Sequence, residues 1–264
     1  YVKKKPLLPS VRKEEKQRQE KIRVVHSLKE ALTEIEMLNA QVEALTTLKQ
    51  SKNTVTITPR LSTHKSEAVV IAVATDWHVG SVVKPETVSG LNKFNVAIAK
   101  ERATRFFQSV VSLTNKERQD VSISELILFL GGDLIDGSLH LDTVMSNEIA
   151  TPIEQAVVVQ EMIESGINFL LNHGKYKKIT VVCCDGNHGR VTNKLHFSSR
   201  KGNALEYFLY YNLAKRFPTL NWVIADGLHA YVNVYDKVMR FHHGDTISFG
   251  GVNGPYTYLN RRIY

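Results

Sequence analysis

The chain is poor in cysteine, with only two in 264 residues, and these two are adjacent at Cys183 and Cys184. Consecutive residues of a strand point to opposite faces of the sheet, so we do not expect this pair to form a structural disulfide. Two cysteines are also too few to complete a zinc–thiolate site. The scarcity is typical of a protein from a reducing cytoplasm.

The sequence also lacks any run of apolar residues long enough to span a membrane. No secretory signal peptide is recognisable near its start. We therefore expect no membrane partner. Hydrophobic residues still make up 43% of the chain, which is enough for a sizeable core. The length predicts one large domain with an appendage.

The appendage is predicted at the N-terminus, as a basic helix over residues 1–50. Residues 1–60 carry 13 Lys and Arg against 7 Asp and Glu, which is most of the net charge of +8. The segment 12–50 has no glycine or proline and is rich in strong helix formers. Between Val24 and Leu45 apolar residues recur at alternating spacings of four and three, a heptad pattern. This pattern favours a short coiled coil with a second copy or a partner protein; packing on the chain's own body is the alternative.

The main domain is predicted to follow a linker. The segment 51–66 is rich in Thr, Ser and Lys, which is typical of a linker, and the domain then covers residues 67–264. Apolar strands alternate with amphipathic helices along it, which predicts an α/β fold. The first such helix is predicted from Phe94 to Glu117. Its predicted sheet-facing residues are Ala99, Ala103, Phe106, Val110 and Leu113.

Four apolar segments of the domain end abruptly in side chains that bind metals. In chain order, these are Asp76 and His78, Asp133, Asn187 and His188, and His242 and His243. In open α/β sheets, ligand sites form at the carboxyl ends of the strands, so we expect these side chains to converge. Carboxylate, imidazole and amide donors suit Mn, Fe, Zn or Mg. The sequence therefore predicts a metal site built from separated segments.

The order of these motifs resembles the calcineurin-like metallophosphoesterases. The motifs are Asp-x-His, Gly-Asp-x-x-Asp-Gly, Gly-Asn-His and His-Gly, and they extend from about Val69 to Asp245. The resemblance implies a four-layer α/β/β/α sandwich, here with an N-terminal helical extension. It also implies a phosphoesterase with two divalent ions, for which Mn²⁺ is favoured and Fe, Zn or Mg are alternatives.

The resemblance further assigns roles to individual residues. It implies that the first ion is bound by Asp76, His78 and Asp133, and the second by Asp133, Asn187 and His243. His188 is similar to the family's general acid. A hydroxide bridging the two ions would be the nucleophile.

Two features of the chain differ from the family pattern. The family has an acidic residue after Gly-Asn-His, where this chain has Gly189 and Arg190. The family's last motif, Gly-His-x-His, does not occur before Tyr264. We therefore expect the domain to be truncated at its C-terminal end.

Basic residues follow the third motif closely. Arg190, Lys194 and Arg200 are predicted to bind substrate phosphate, although a solvated loop is the alternative. His140, seven residues after Asp133, is a further candidate for substrate contact.

These features favour a DNA nuclease that hydrolyses phosphodiester bonds, similar to the repair exonucleases of the superfamily and to phage-encoded relatives. The expected location is the cytoplasm, or the bacterial host cytoplasm if a phage encodes the protein. One alternative is a phosphomonoesterase acting on proteins or small molecules, because the same core serves both reactions. Another is a DNA-tethering or oligomerisation module with a degenerate metal site.

Overall fold

The computed structural model describes residues 18–29, 31, 32, 35, 39, 55–58, 66–139, 147–192 and 200–245. The chain divides into two units, Tyr1–Ser51 and Lys52–Tyr264. The strands of the second unit are β1 Val55–Ile57, β2 Glu67–Ala74, β3 Ser122–Leu130, β4 Lys178–Cys183, β5 Asn221–Ile224, β6 Ala230–Val234 and β7 Lys237–Phe241. With 18–29 of the first unit as helix α1, the later helices are α2 Val96–Glu117, α3 Pro152–His173 and α4 Leu205–Arg216.

The helical residues of the first unit carry an exposed apolar stripe that begins on α1. Val24, Leu28 and Ile35 are exposed by 61%, 59% and 52% of their surface. Residues 31, 32, 35 and 39 are also helical. The rest of the predicted coiled-coil segment, including Leu38, Val42 and Leu45, lies outside the described residues. Association through this stripe stays a prediction. No helix of the described part of the chain has the length and apolar character needed to cross a membrane.

Deletion of residues 1–50 is expected to lower the mass of the protein in solution to that of a monomer. Side chains in heptad spacing that are more than half exposed can be buried by packing against the same stripe of a second copy. Sedimentation equilibrium of the full chain and of the deleted chain measures the change. A protein that is monomeric before and after the deletion would rule out self-association through α1.

Two sheets form the second unit. The larger has the order β2-β3-β4-β5, and all of its pairs are parallel. The smaller has the order β1-β6-β7, in which β1 pairs parallel with β6 and β6 pairs antiparallel with β7. This mixed α/β architecture confirms the predicted fold class.

The larger sheet is buried on both faces, which places it at the centre of the unit. Along β3, Leu126, Leu128 and Leu130 pack with helices α2, α3 and α4, whereas Ile127 and Phe129 pack with the smaller sheet. This alternation follows from the two-residue period of a strand. The described residues thus supply three layers: helices, larger sheet and smaller sheet. Cys183 and Cys184 lie in the two different cores and form no disulfide, as predicted.

The predicted linker is not linker throughout. Val55–Ile57, inside the range 51–66, forms strand β1 and pairs with β6. Ile57 is almost fully buried between the sheets. The strand itself has only three residues, and its distant pairing partner identifies it.

The buried face of α2 is rotated from the predicted one. The structure buries Ala99, Ala103, Phe107, Val111 and Thr114, whereas the predicted Leu113 is 61% exposed. Apolar residues three or four positions apart lie on the same side of a helix. The apolar pattern of α2 therefore fits two neighbouring faces and did not decide which of them is buried. Thr114 is tolerated inside because its hydroxyl donates to the Val110 carbonyl and also meets the Tyr176 hydroxyl.

Candidate metal centre

The carboxyl ends of three parallel strands meet at one edge of the larger sheet. The segments that follow β2 and β3 stay paired beyond the strands, because Asp76 N donates to the Gly132 carbonyl and His78 N to the Asp133 carbonyl, both at 3.0 Å. Cys184 N, after β4, donates to the Leu130 carbonyl. The backbone therefore fixes the spacing of the polar side chains that follow these strands.

Three of these polar residues have a backbone conformation that non-glycine residues rarely adopt. The φ angles of Asp76, His78 and Asp133 are 56°, 46° and 49°. Left-handed conformations of such residues cost free energy and concentrate at functional sites. Here they turn three candidate ligands toward one region at the end of the sheet.

The first cluster of donors contains Asp76, Asp133 and His243. One ligand atom from each lies within 4.8 Å of the others. The Nε2 atom of His243 is 3.1 Å from Asp133 Oδ2 and 3.2 Å from Asn187 Oδ1. Four segments distant in sequence thus place their side chains around one point.

The second cluster lies beside the first and contains His78, Asp136 and His188, again with ligand atoms within 4.8 Å of one another. The His78 and His188 rings pack edge to face with centroids 4.6 Å apart. Nε2 of His78 lies 3.9 Å from Asp76 Oδ1, which connects the two clusters. Asp136 is buried, and none of the described residues donates a hydrogen bond to its Oδ2.

All three histidines use Nδ1 to contact a protein oxygen. Nδ1 of His243 donates to the Gly131 carbonyl, and Nδ1 of His188 to the Asp136 carbonyl, both at 2.8 Å. Nδ1 of His78 lies 3.1 Å from the Asp136 carboxylate. Because these oxygens accept the Nδ1 proton, each ring is left with Nε2 for a ligand. This is the usual arrangement of metal-binding histidines.

The charges of the first cluster stabilise each other. Burial opposes a charged His243 ring, but the hydrogen bond and the charge of Asp133 outweigh it and raise the pKa of His243 to about 9. Burial likewise opposes the charge of Asp133, yet its contacts with His243 and with His188 N leave the pKa of Asp133 lowered. Without metal, a proton on His243 therefore compensates the buried carboxylate.

In the second cluster, the hydrogen bond to Asp136 raises the pKa of His78. Burial of the ring acts in the opposite direction, and the charges of Asp133, Asp136 and Asp76 add to the increase. Both clusters are therefore rich in negative charge, which favours a cation.

Gly186 allows the closest approach in the site. A Cβ atom at this position would collide with the carboxylate and the backbone nitrogen of Asp133. The loop after β4 can therefore lie directly against Asp133 only with glycine at this position. This contact brings the next residue, Asn187, to His243.

The structure brings together the residues predicted as ligands but groups them differently. Asp76, Asp133, Asn187 and His243 converge, whereas His78 is turned toward Asp136 and His188. His242, the neighbour of His243, instead packs its ring against His229.

The predicted substrate-binding residues are only partly visible. Arg190 donates to the backbone carbonyls of Asn187 and Thr192, so part of its guanidinium holds its own loop. Arg200 begins a short 3-10 turn, Arg200–Gly202, and its side chain lies outside the described residues. His140 and Lys194 also lie outside them, so substrate contact by these residues stays a prediction.

Sequence reasoning missed three polar residues that support the site. Asp136 is absent from the predicted ligands, although its place in Gly-Asp-x-x-Asp-Gly was a signal for it. Gln155 and Glu206 are fully buried on helices α3 and α4. The side chain of Gln155 accepts from Gly137 N at 2.9 Å. No local sequence pattern distinguishes these two from surface residues of an amphipathic helix.

Comparison with known proteins does not place the chain in a family. No family model matches it, and no curated protein does so either. The geometry of the two clusters and the motif resemblance are therefore the basis for assigning a function.

Proposed function

We propose that the protein is a metal-dependent phosphoesterase of the calcineurin-like type that hydrolyses phosphodiester bonds in DNA. The observation that carries the proposal is the convergence of Asp76, Asp133, Asn187 and His243, with His78 and His188 beside them. These residues come from four separate segments, in the order in which that family places its motifs.

The donors fit two divalent ions. They are carboxylate, imidazole and amide groups, a set that suits Mn²⁺, with Fe, Zn or Mg as alternatives. Asp133, Asn187 and His243 would hold one ion. Asp76 and His78 would hold the other and share Asp133. Nδ1 of each of the three histidines contacts a protein oxygen, and Nε2 of His78 and of His243 lies beside a carboxylate of the proposed ligand set, which supports this assignment.

The chemistry divides between the ions and the side chains. When bound, such ions polarise a phosphoryl oxygen and lower the pKa of water. His188 is proposed as the general acid, because its Nδ1 is held by the Asp136 carbonyl while Nε2 can give a proton to the leaving oxygen. The edge-to-face contact with His78 also restrains the His188 ring.

A cavity beside Asp76 favours a diester substrate. It has a volume of about 130 Å³ and is lined by Trp77, Phe94 and Arg102, together with Ala99 and Ala103. The guanidinium of Arg102 lies 5.3 Å from the centre of the Phe94 ring. Aromatic surfaces with an arginine suit a nucleotide next to the scissile phosphate. A phosphomonoester has no second nucleoside that could occupy this cavity.

We also propose the finer features that the resemblance implies. The three described layers would be completed by a second helical layer, which gives the four-layer sandwich. The buried thiols of Cys183 and Cys184, which form no disulfide, support a reducing compartment such as the cytoplasm.

The proposal is tested by incubating the protein with Mn²⁺, with and without a chelator, on plasmid DNA, a short oligonucleotide and p-nitrophenyl phosphate. Chelator-sensitive cleavage of DNA is the expected result. Cleavage of p-nitrophenyl phosphate alone would favour the phosphomonoesterase. A protein that binds DNA but hydrolyses none of these substrates would favour the degenerate tethering module.

Replacing Arg102 with Ala is expected to lower hydrolysis of the oligonucleotide by about tenfold or more, the equivalent of about 1.5 kcal/mol for a lost charged contact. The effect on p-nitrophenyl phosphate should be smaller, because this substrate has no second nucleoside. The ratio of the two kcat/KM values is the measurement.

Lys100→Ala is the matched control, because Lys100 is an exposed cation on α2 that does not line this cavity. If Arg102→Ala and Lys100→Ala change the ratio equally, the cavity is not a nucleotide subsite.

A further inference from the structure

Glu206 lies at the start of α4, fully buried beneath the candidate metal centre. Its Oε1 accepts a hydrogen bond from Leu134 N at 2.7 Å, and its Oε2 accepts one from Gly186 N at 2.8 Å. Leu134 directly follows Asp133, and Gly186 directly precedes Asn187. A single carboxylate thus joins the two loops that present these ligands.

This double contact requires a carboxylate. Two backbone N–H groups from different loops each need an acceptor, and an ionised carboxylate has two acceptor oxygens. A glutamine of the same length has one acceptor oxygen and an amide that only donates. The position in the first turn of α4 also favours a negative charge because of the helix dipole. Burial of a carboxylate is otherwise costly, so these contacts are what stabilise it.

The surrounding backbone fixes α4 to the same loops. Leu205 N donates to the Gly189 carbonyl at 2.8 Å, immediately before Glu206. One turn later, the Tyr210 hydroxyl donates to the Cys184 carbonyl at 3.2 Å. A Cβ atom on Gly189 would lie 2.9 Å from Glu206 Cγ, so the loop and the side chain are closely packed. Glu206 therefore has little freedom to move relative to the loops it connects.

We infer that Glu206 is a positioning residue that sets the separation of Asp133 and Asn187 and thereby the metal affinity of the site. This inference rests on the proposed function, since it concerns the same ions. Glu206 does not itself reach the ligand point, because both of its oxygens are directed at backbone N–H groups.

The test compares Glu206→Gln with the unaltered protein in two measurements. Titration with Mn²⁺, followed by electron paramagnetic resonance, gives the affinity. The expected loss is about 10–100-fold, which is typical when a group supporting metal ligands is removed. Hydrogen exchange of the Leu134 and Gly186 amides in the metal-free protein reports the contacts directly. We expect at least one of these amides to exchange faster in the variant.

Glu125→Gln serves as the matched control, because Glu125 is also buried on β3 but lies near the strand's other end. This variant is expected to keep the Mn²⁺ affinity even if its melting temperature falls. Equal losses of affinity in both variants would mean a general loss of stability and would overturn the inference. If the unaltered protein binds Mn²⁺ and Glu206→Gln binds it equally tightly, the inference is overturned but the proposed function stands. A wild-type protein that binds no Mn²⁺ would overturn the proposed function and this inference with it.

Discussion

Replacing Asp133 with Asn is expected to lower phosphoester hydrolysis by about a thousandfold or more, the equivalent of about 4 kcal/mol of transition-state stabilisation. Asp133 is the one carboxylate proposed to contact both ions. It is also buried, with Oδ2 3.1 Å from His243 Nε2 and Oδ1 accepting from His188 N at 2.7 Å. The asparagine keeps the shape and one acceptor oxygen but removes the negative charge.

The measurement is kcat on the oligonucleotide, together with the number of Mn²⁺ ions bound per chain. Loss of at least one ion should accompany the loss of turnover. Asp120→Asn, at an exposed position in the turn before β3, is the control and should behave as wild type. An Asp133→Asn protein that folds, binds both ions and turns over at the wild-type rate would contradict the proposed site.

The metal-free protein is expected to lose stability as the pH rises from about 6.5 to about 9. The ordinary histidine pKa is 6.5, and in the folded chain the pKa of His243 is raised to about 9. The folded state therefore holds this proton more tightly than the unfolded state does. The contribution to stability is fully present below pH 6.5 and is lost as the pH passes through 9.

Each unit of pKa difference between the folded and the unfolded state corresponds to about 1.4 kcal/mol, so the upper limit of the stability change is about 3.5 kcal/mol. Urea unfolding at several pH values in the presence of a chelator measures it. Asp133→Asn should flatten the dependence, because the contact with Asp133 is a main cause of the raised pKa of His243. A wild-type protein equally stable at pH 6 and pH 9 would contradict the contact between these side chains.

Metal should reverse this dependence. A ligand nitrogen must be unprotonated, so binding of Mn²⁺ at His243 Nε2 competes with the proton and strengthens as the pH rises. We therefore expect Mn²⁺ to raise the melting temperature more at pH 8.5 than at pH 6.5. Thermal melting with and without Mn²⁺ at both pH values measures the difference.

The strand-end motifs made much of the site predictable. Asp76, Asp133 and Asn187 could be selected because each follows an apolar strand of the larger sheet, whose parallel strands bring their carboxyl ends to one edge. His243 also follows an apolar strand, but that strand, β7, is antiparallel and belongs to the smaller sheet. The opposite orientations of Cys183 and Cys184 followed from the same two-residue period of a strand.

Other features could not be predicted, because several local arrangements fit the same residues. The apolar spacing of α2 allowed two neighbouring faces to be buried. The face that is buried includes Thr114, whose hydroxyl contacts Tyr176, 62 residues away. The ring of His78 could face either Asp133 or Asp136 from the same backbone position. Only the assembled loops turn it to Asp136.

The sequence by itself determined most of the donors of the site and the strand ends that carry them, because both depend on strand period and motif order. Tertiary structure alone decided how these donors are grouped and which residues hold them in place. Glu206 contacts Leu134 across 72 positions of the chain, and nothing near either residue encodes that contact. The physical reason is that packing between distant segments, rather than local propensity, selects the partner of a buried polar group.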